Sequence, residues 1–301
     1  MNDTCISFNL DNNAFRGRIV RLDNILEHIF SHFTYPDCIA SAVSETTALG
    51  IVLASLMKFE GIFTLQMQGD GPLSVLVTDV NSKGKVRSCA KYDALSLSKI
   101  QKLRKTEGQI EATPHLLGHG NLIFTIDQGK QTDLYQGVVD LKGKNLAQCA
   151  LRYFKNSEQI DTHLRLFVEK TFENKWQAGA ILIQKMPTKD SANSSATKEE
   201  IELLWEEDKI LLDSLKQEEM FDSKLSLEDL LFRLFHEHQV RIVKQNEFSF
   251  GCRCSRDKLF NTLNAMSEKD IEDMCENGKI TATCNFCGQV YNFDKSEFLK
   301  H

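Results

Sequence analysis

The sequence predicts an α+β protein in three segments: an N-terminal antiparallel-sheet domain with helices at 1–187, a helical linker at 188–239, and a small cysteine-bearing module at 240–301. Three observations lead there. Short apolar runs punctuated by glycine turns fill 62–90, as in an antiparallel meander. After Pro187 the composition turns polar and then acidic, with apolar residues at helical spacing. Beyond 250, four of the nine cysteines fall into two tight pairs, Cys252-Arg253-Cys254 and Cys284-Asn285-Phe286-Cys287.

In the first segment, 16–22 alternates as a strand does, and a helix follows from Asp23 with Ile25, Leu26, Ile29, Phe30 and Phe33 on its apolar face until Pro36 stops it. Residues 41–59 make a longer helix whose nearly continuous apolar surface must be buried. Gly61 opens a strand at 62–67, Gly69-Asp70-Gly71-Pro72 turns the chain into 73–80, and Asn81-Ser82-Lys83-Gly84-Lys85 turns it into 86–90. Gly69-Asp70-Gly71 lacks the Lys-Ser or Lys-Thr and the helix that a phosphate loop needs, and Gly118-His119-Gly120 fails the same test. Strands at 121–127 and 134–141 pair across Gln128-Gly129-Lys130-Gln131, a helix covers 145–154, and strands return at 161–169 and 178–184. No Ser-His-Asp set or HExxH helix stands out. On a helix, His236-Glu237-His238 would aim its two imidazoles at different faces. No catalytic residue is expected.

In the second segment, 188–197 holds no large apolar side chain and reads as a connector. Thr197-Lys198-Glu199-Glu200 is a capping box, opening a helix with the stripe Ile201, Leu204, Leu211, Leu212 and Leu215. Ser226 caps another, with Leu227, Leu230, Leu231, Leu234 and Phe235 at helical spacing. The like-charge pairs Glu202/Glu206 and Glu218/Asp222 each cost about 0.2–0.5 kcal/mol, so stability must come from docking, for which the first domain is the candidate surface. A permanent connector and a releasable one both fit this pattern.

The net charge of −6 is uneven: 198–229 carries twelve acids against four lysines. The rest of the chain is close to neutral and has no strong electrostatic reason to bind nucleic acid. The start of the chain has no basic region leading into an apolar stretch, and the longest apolar run, 48–57, falls short of the roughly 20 residues that span a bilayer. A cytoplasmic location follows, with no membrane partner, and there the cysteines are expected to be thiols or metal ligands. Cys149, among Leu146, Ala150 and Tyr153, reads as a packed core thiol, and Cys275 as a bystander at a helix end.

In the third segment a helix runs from Ser255 through Leu263, Ser267 caps a second that Gly278 ends, and 280–283 and 289–293 form a hairpin whose turn is the second cysteine pair. Four thiolates at one point suit tetrahedral Zn²⁺, with Cys252, Cys254, Cys284 and Cys287 as ligands. A filled four-sulfur site leaves no position for a substrate, so the ion is structural or a switch. Structural zinc supplies roughly 10–16 kcal/mol, more than the roughly 5–15 kcal/mol that stabilises a whole domain. Peroxide or hypochlorous acid attacking one thiolate gives a sulfenate that its neighbour resolves to a disulfide, and oxidation then excludes the metal.

Gly251-Cys252-Arg253-Cys254-Ser255 and Cys284-Asn285-Phe286-Cys287-Gly288 with the following Tyr291 and Phe293 resemble the heat-shock protein 33 family of redox-regulated holdase chaperones. Gln68-Gly69-Asp70-Gly71-Pro72-Leu73, Tyr135-Gln136-Gly137-Val138-Val139-Asp140-Leu141 and Tyr153-Phe154-Lys155-Asn156-Ser157-Glu158-Gln159 extend the likeness over nearly the whole chain. The resemblance implies a zinc-bound, inactive reduced form. It implies Cys252–Cys254 and Cys284–Cys287 disulfides on oxidation, zinc release, linker unfolding, a homodimer, and ATP-independent capture of unfolding client proteins. The polar stretch 188–197 and Cys275 depart from the family pattern. Two rival readings are a zinc-ribbon nucleic-acid-binding adaptor, using Arg253, Arg256 and Lys258 on phosphates, and a thiol-disulfide oxidoreductase using Cys284 and Cys287. The acidic linker opposes the first, and the lack of a thioredoxin-like βαβ context the second.

Overall fold

The meander at 62–90 forms the middle of one of two large sheets. The computed structural model of the protein describes residues 3–104, 112–129, 134–186 and 197–298. These fall into two compact units, Met1–Phe250 and Gly251–His301.

In the first unit the strands are β1 (Thr4–Leu10), β2 (Phe15–Leu22), β3 (Ile62–Gly69), β4 (Leu73–Asn81), β5 (Lys85–Tyr92), β6 (Gly120–Asp127), β7 (Tyr135–Asp140), β8 (Thr162–Lys170), β9 (Trp176–Lys185), β10 (Arg241–Glu247) and β11 (Ser249–Phe250). One sheet has the order β10-β1-β2-β9-β8, the other β11-β5-β4-β3-β6-β7. All pairings are antiparallel except β11 with β5. The turn between β6 and β7 falls partly on Lys130 and Gln131, outside the described residues.

The helices of the N-terminal part are α1 (Asn24–His32), α2 (Asp37–Ser55), α3 (Ala94–Arg104), α4 (Thr113–Leu117) and α5 (Leu146–Tyr153). α2 touches β2, β8 and β9 of one sheet and β3, β4 and β5 of the other. A helix packed on both sides must be apolar all round. That explains why α2, the one helix among the described residues long and apolar enough to cross a membrane, is mostly buried here. It begins directly after Pro36, four residues before the sequence pattern suggested, with Asp37 favourably placed in its first turn. Its apolar composition continues past Ser55 although the helix does not.

The linker helices are α6 (Lys198–Ser214), α7 (Gln217–Met220) and α8 (Leu227–Leu234). Most of the connector expected at 188–197 lies outside the described residues. The capping box forms: Thr197 Oγ1 accepts from the Glu200 amide at 3.2 Å, and Glu200 Oε2 from the Thr197 amide at 2.6 Å. Ser226 caps α8 by the first of these bonds alone, its Oγ accepting from the Asp229 amide at 3.0 Å.

The five-stranded sheet buries both faces, and alternation along each strand divides them. Val20, Ala178, Ala180 and Leu182 face the core around α2. Ile6, Phe8, Ile19, Phe167, Ile181 and Ile183 face the other way, onto Trp205, Leu212, Met220, Leu230, Leu231 and Phe235 of the linker segment. Gly17 makes room for the Phe8 ring, whose Cζ a Cβ would approach to 2.1 Å, and Gly179 makes room for Met220.

β10 and β11 correct the boundary drawn at 240. They pair with β1 and β5, so Arg241–Phe250 is sheet of the first unit and the cysteine unit starts at Gly251. Along β10 polar and charged side chains are mostly exposed, leaving little apolar signal of a strand to read. β1 carries little strand signal in the sequence although its side chains are almost all buried, because it is apolar on one face and mixed on the other.

The second unit contains α9 (Arg256–Asn264), α10 (Glu268–Asp273) and the hairpin β12 (Lys279–Thr283) and β13 (Val290–Asp294). Its core is five buried side chains: Leu263, Ile271, Ile280, Phe293 and Phe298. A core this small needs a staple.

Candidate metal centre

The second unit folds around its two cysteine pairs. The β12–β13 hairpin turns through Cys284-Asn285-Phe286-Cys287-Gly288, closed by the Cys284 amide on the Gln289 carbonyl and the Gly288 amide on the Cys284 carbonyl, both 2.9 Å. Gly288 sits at φ +66°, a left-handed conformation that a side chain would strain. Cys252 and Cys254 lie just before α9, whose first turn Ser255 caps by accepting from the Lys258 amide.

These two segments bring together the four sulfurs singled out in the sequence, all within 4.8 Å of one another. Cys252 Sγ lies 3.6 Å from Cys284 Sγ, and Cys254 Sγ lies 3.4 Å from Cys287 Sγ. A disulfide would need about 2.05 Å, whereas four thiolates at about 2.3 Å from a common tetrahedral centre stand about 3.8 Å apart. The cysteines are free thiols, and these two separations lie far closer to the second arrangement than to the first. Cys275 stays outside the cluster and packs against the small core.

Burial pushes the Cys284 and Cys287 thiols up, while amides of Phe286 and Cys287 on Cys284, and of Gln289 on Cys287, pull the other way. Crowded sulfurs cannot all ionise beside one another without a cation. The Tyr291 hydroxyl donates to Cys254 Sγ at 3.3 Å, and this bond raises its own pKa to about 12. Tyr291 entered the sequence reading only through the family motif; its position on the hairpin face turned to Cys254 depends on β12–β13 register.

Two of the three basic side chains of the nucleic-acid reading, Arg256 and Lys258, are engaged internally. Arg256 makes two 2.8 Å bonds to Glu297 and lies 4.6 Å over the Phe293 ring, and Lys258 Nζ donates to the Arg253 carbonyl at 2.9 Å.

In the first unit, polar latches fasten the linker to the sheet. Arg165 Nη1 donates to the carbonyls of Leu212, Asp213 and Leu215 at 3.0, 2.7 and 2.6 Å, satisfying the end of α6. Arg21 Nη1 donates to the carbonyls of Asp222 and Leu225. Lys185 pairs with Glu202 at 2.8 Å and lies 5.5 Å over Trp205. Trp205, absent from the stripe read in the sequence, is the largest linker side chain on the sheet; it sits 5.5 Å from Phe15. Cys149 is fully buried among apolar neighbours, and burial raises its thiol to about 11.

A family model described as Hsp33 protein matches residues 3–294. The 33 kDa chaperonin of Caulobacter vibrioides is 33% identical over 299 residues, covering 98% of this chain and 95% of that protein. The 33 kDa chaperonin of Aliivibrio fischeri is 35% identical over 297 residues, covering 97% and 93%. Among solved structures, that of the 33 kDa chaperonin (heat shock protein 33 homolog) from Thermotoga maritima is similar in fold, with a TM-score of 0.78 at 21% identity over 99% of this chain and 97% of that one.

Proposed function

Since the chain belongs to the Hsp33 family, whose members are chaperones and not enzymes, we propose that it is an ATP-independent holdase switched on by oxidation of Cys252, Cys254, Cys284 and Cys287. The observation that carries this reading is the apolar sheet face closed by the linker helices. A surface holding Phe8, Ile19, Phe167 and Ile181 suits extended, unfolding client chains once uncovered, and the linker would contribute its own apolar stripe.

The reduced form is closed. Cys252, Cys254, Cys284 and Cys287 would hold Zn²⁺, which would cross-link the two cysteine segments and keep the four sulfurs as thiolates. Tyr291 orients Cys254, and the knuckle amides orient Cys284 and Cys287. A thiolate attacking peroxide becomes a sulfenic acid and releases hydroxide; the neighbouring thiolate then attacks that sulfur, closing the S–S bond and releasing a second hydroxide. The disulfides are Cys252–Cys254 and Cys284–Cys287, and neither pair can then donate thiolates to a metal.

With its staple gone, a five-residue core cannot hold the second unit. Disorder spreads back along the chain through β11 and β10. β10 is an edge strand with mostly exposed side chains, the kind of element that opens first. Freed of β10, whose Ile242 packs against the same apolar layer, the linker helices lose one wall of their seat and the sheet face opens, with homodimerisation covering part of it. Such thiol chemistry belongs in the reducing cytoplasm, where a disulfide signals stress.

The test is zinc release, followed with a chromogenic chelator under peroxide and mild heat, alongside light scattering from a heat-aggregating protein. Zinc loss that coincides with suppressed scattering, reversed by dithiothreitol and zinc, supports the holdase. Zinc loss with unchanged scattering refutes it.

A further inference from the structure

Beneath the linker lies a second cluster of metal-ligating side chains, 30 residues or more in sequence from any of the four cysteines except through His238, and lying in the other compact unit. Asp11 comes from the turn joining β1 to β2, Asp208 from the middle of α6, and His238 from the turn after α8. The Asp11 amide donates to the His238 carbonyl at 3.0 Å, tying the two segments together at the backbone. Nδ1 of His238 lies 3.3 Å from Asp11 Oδ2 and 3.2 Å from Asp208 Oδ1.

All three side chains are out of water: their exposures are 10% for Asp11, 0% for Asp208 and 8% for His238. Asp208 is the anomaly. Its Oδ1 has only the ion contact to His238, outside hydrogen-bond geometry, and neither oxygen has a hydrogen-bond partner. A fully buried carboxylate without donors is costly, and this one sits beside another. Among the described residues no lysine or arginine pairs with either acid, so the available positive charge is at most one imidazolium against two carboxylates.

A divalent cation resolves both the charge and the unmade bonds. With neutral imidazole it cancels two carboxylates, and ligands about 2.0–2.1 Å from a tetrahedral ion stand about 3.3–3.4 Å apart, close to the two measured edges. Imidazole with carboxylate oxygens suits borderline first-row ions rather than the soft, all-sulfur preference of the cysteine cluster. We propose that Asp11, Asp208 and His238 form a second site for a first-row divalent cation, which clamps the first and last linker helices to the β1–β2 turn.

His236 takes no part; its side chain is 67% exposed while that of His238 is 8% exposed, so the two imidazoles do diverge. Ion binding at this site stands apart from the redox reading, whereas an effect on linker release rests on it. In that case occupancy favours the closed form by mass action, so that release becomes sensitive to free metal as well as to oxidant.

The experiment titrates Co²⁺ into full-length reduced protein already carrying one equivalent of zinc. Bound cobalt is measured by equilibrium dialysis, and its spectrum is examined for sulfur-to-cobalt charge transfer. One further equivalent, without a sulfur band, is expected, weakened at least tenfold in both Asp208→Asn and His238→Gln while the zinc equivalent stays. Asp208→Asn removes a buried charge, and His238→Gln provides an independent check should either variant fold poorly. No second equivalent in the unaltered protein, a sulfur band on the added cobalt, or undiminished binding in both variants overturns the proposal.

Discussion

Replacing Trp205 with alanine separates the docked linker from the rest of the fold. Trp205 is 5% exposed, lies against Phe15 and under Lys185, and belongs to the apolar layer between α6 and the five-stranded sheet. Truncating a buried tryptophan costs about 3–5 kcal/mol. Nearly all of that cost falls on the docked state, because an undocked α6 leaves the ring in water. At about 1.4 kcal/mol per tenfold, the population of linker-open molecules rises at least 100-fold. Amide exchange mapped along zinc-loaded, reduced protein reads this directly, with α2 as internal reference because both sheets enclose it. Protection across 198–235 should fall by two orders of magnitude or more while α2 holds, and aggregation suppression should appear without oxidant. A change below tenfold in the linker, or an equal fall in α2, refutes the reasoning that the linker is a separately releasable layer.

Cys284→Ser should reduce bound zinc well below one equivalent and erase amide protection over 251–298, leaving β2 and β9 intact; an ordered, zinc-free second unit would contradict the small-core argument. Gly179→Ala puts a Cβ 2.7 Å from Met220 Cγ, so α7 should loosen by about 1–3 kcal/mol, tempered by the give of the thioether and measured as local exchange. Glu45, raised to about 6 by burial against the opposing Thr113 hydroxyl bond, folds best protonated; its contribution is full below about 4.5 and is lost as pH rises through 6. The urea stability of Glu45→Gln minus that of the unaltered protein should therefore increase by about 2 kcal/mol between pH 4.5 and 7, and a constant difference would show the carboxyl to be solvated.

The parts of the molecule that obey one period were legible from sequence. Glycine turns and alternation located β3, β4 and β5, and Ser/Thr caps with helical spacing located α6 and α8. The cysteine cluster was legible because CxC and CxxC are local patterns whose chemistry demands convergence, and the structure brings those four sulfurs together. What escaped depends on partners distant in sequence. β10 is a strand only because the β1 edge is there to receive it. α3 and α4 are short or weakly amphipathic helices without a strong stripe. Asp208 left one clue, an acid between Trp205 and Leu212 on the buried side of α6, but nothing in the sequence brings Asp11 and His238 to it.

The central claim is that thiol oxidation beyond residue 250 uncovers a sheet face formed by residues before 184. It is tested most directly by peptide-resolved amide exchange on the full-length chain, zinc-loaded and reduced against oxidised and zinc-free, with disulfides mapped in the same samples. The account predicts Cys252–Cys254 and Cys284–Cys287 bridges, loss of protection over 198–235 and 241–298, and an intact α2. Strong protection of 198–235 in the oxidised, zinc-free protein would contradict it.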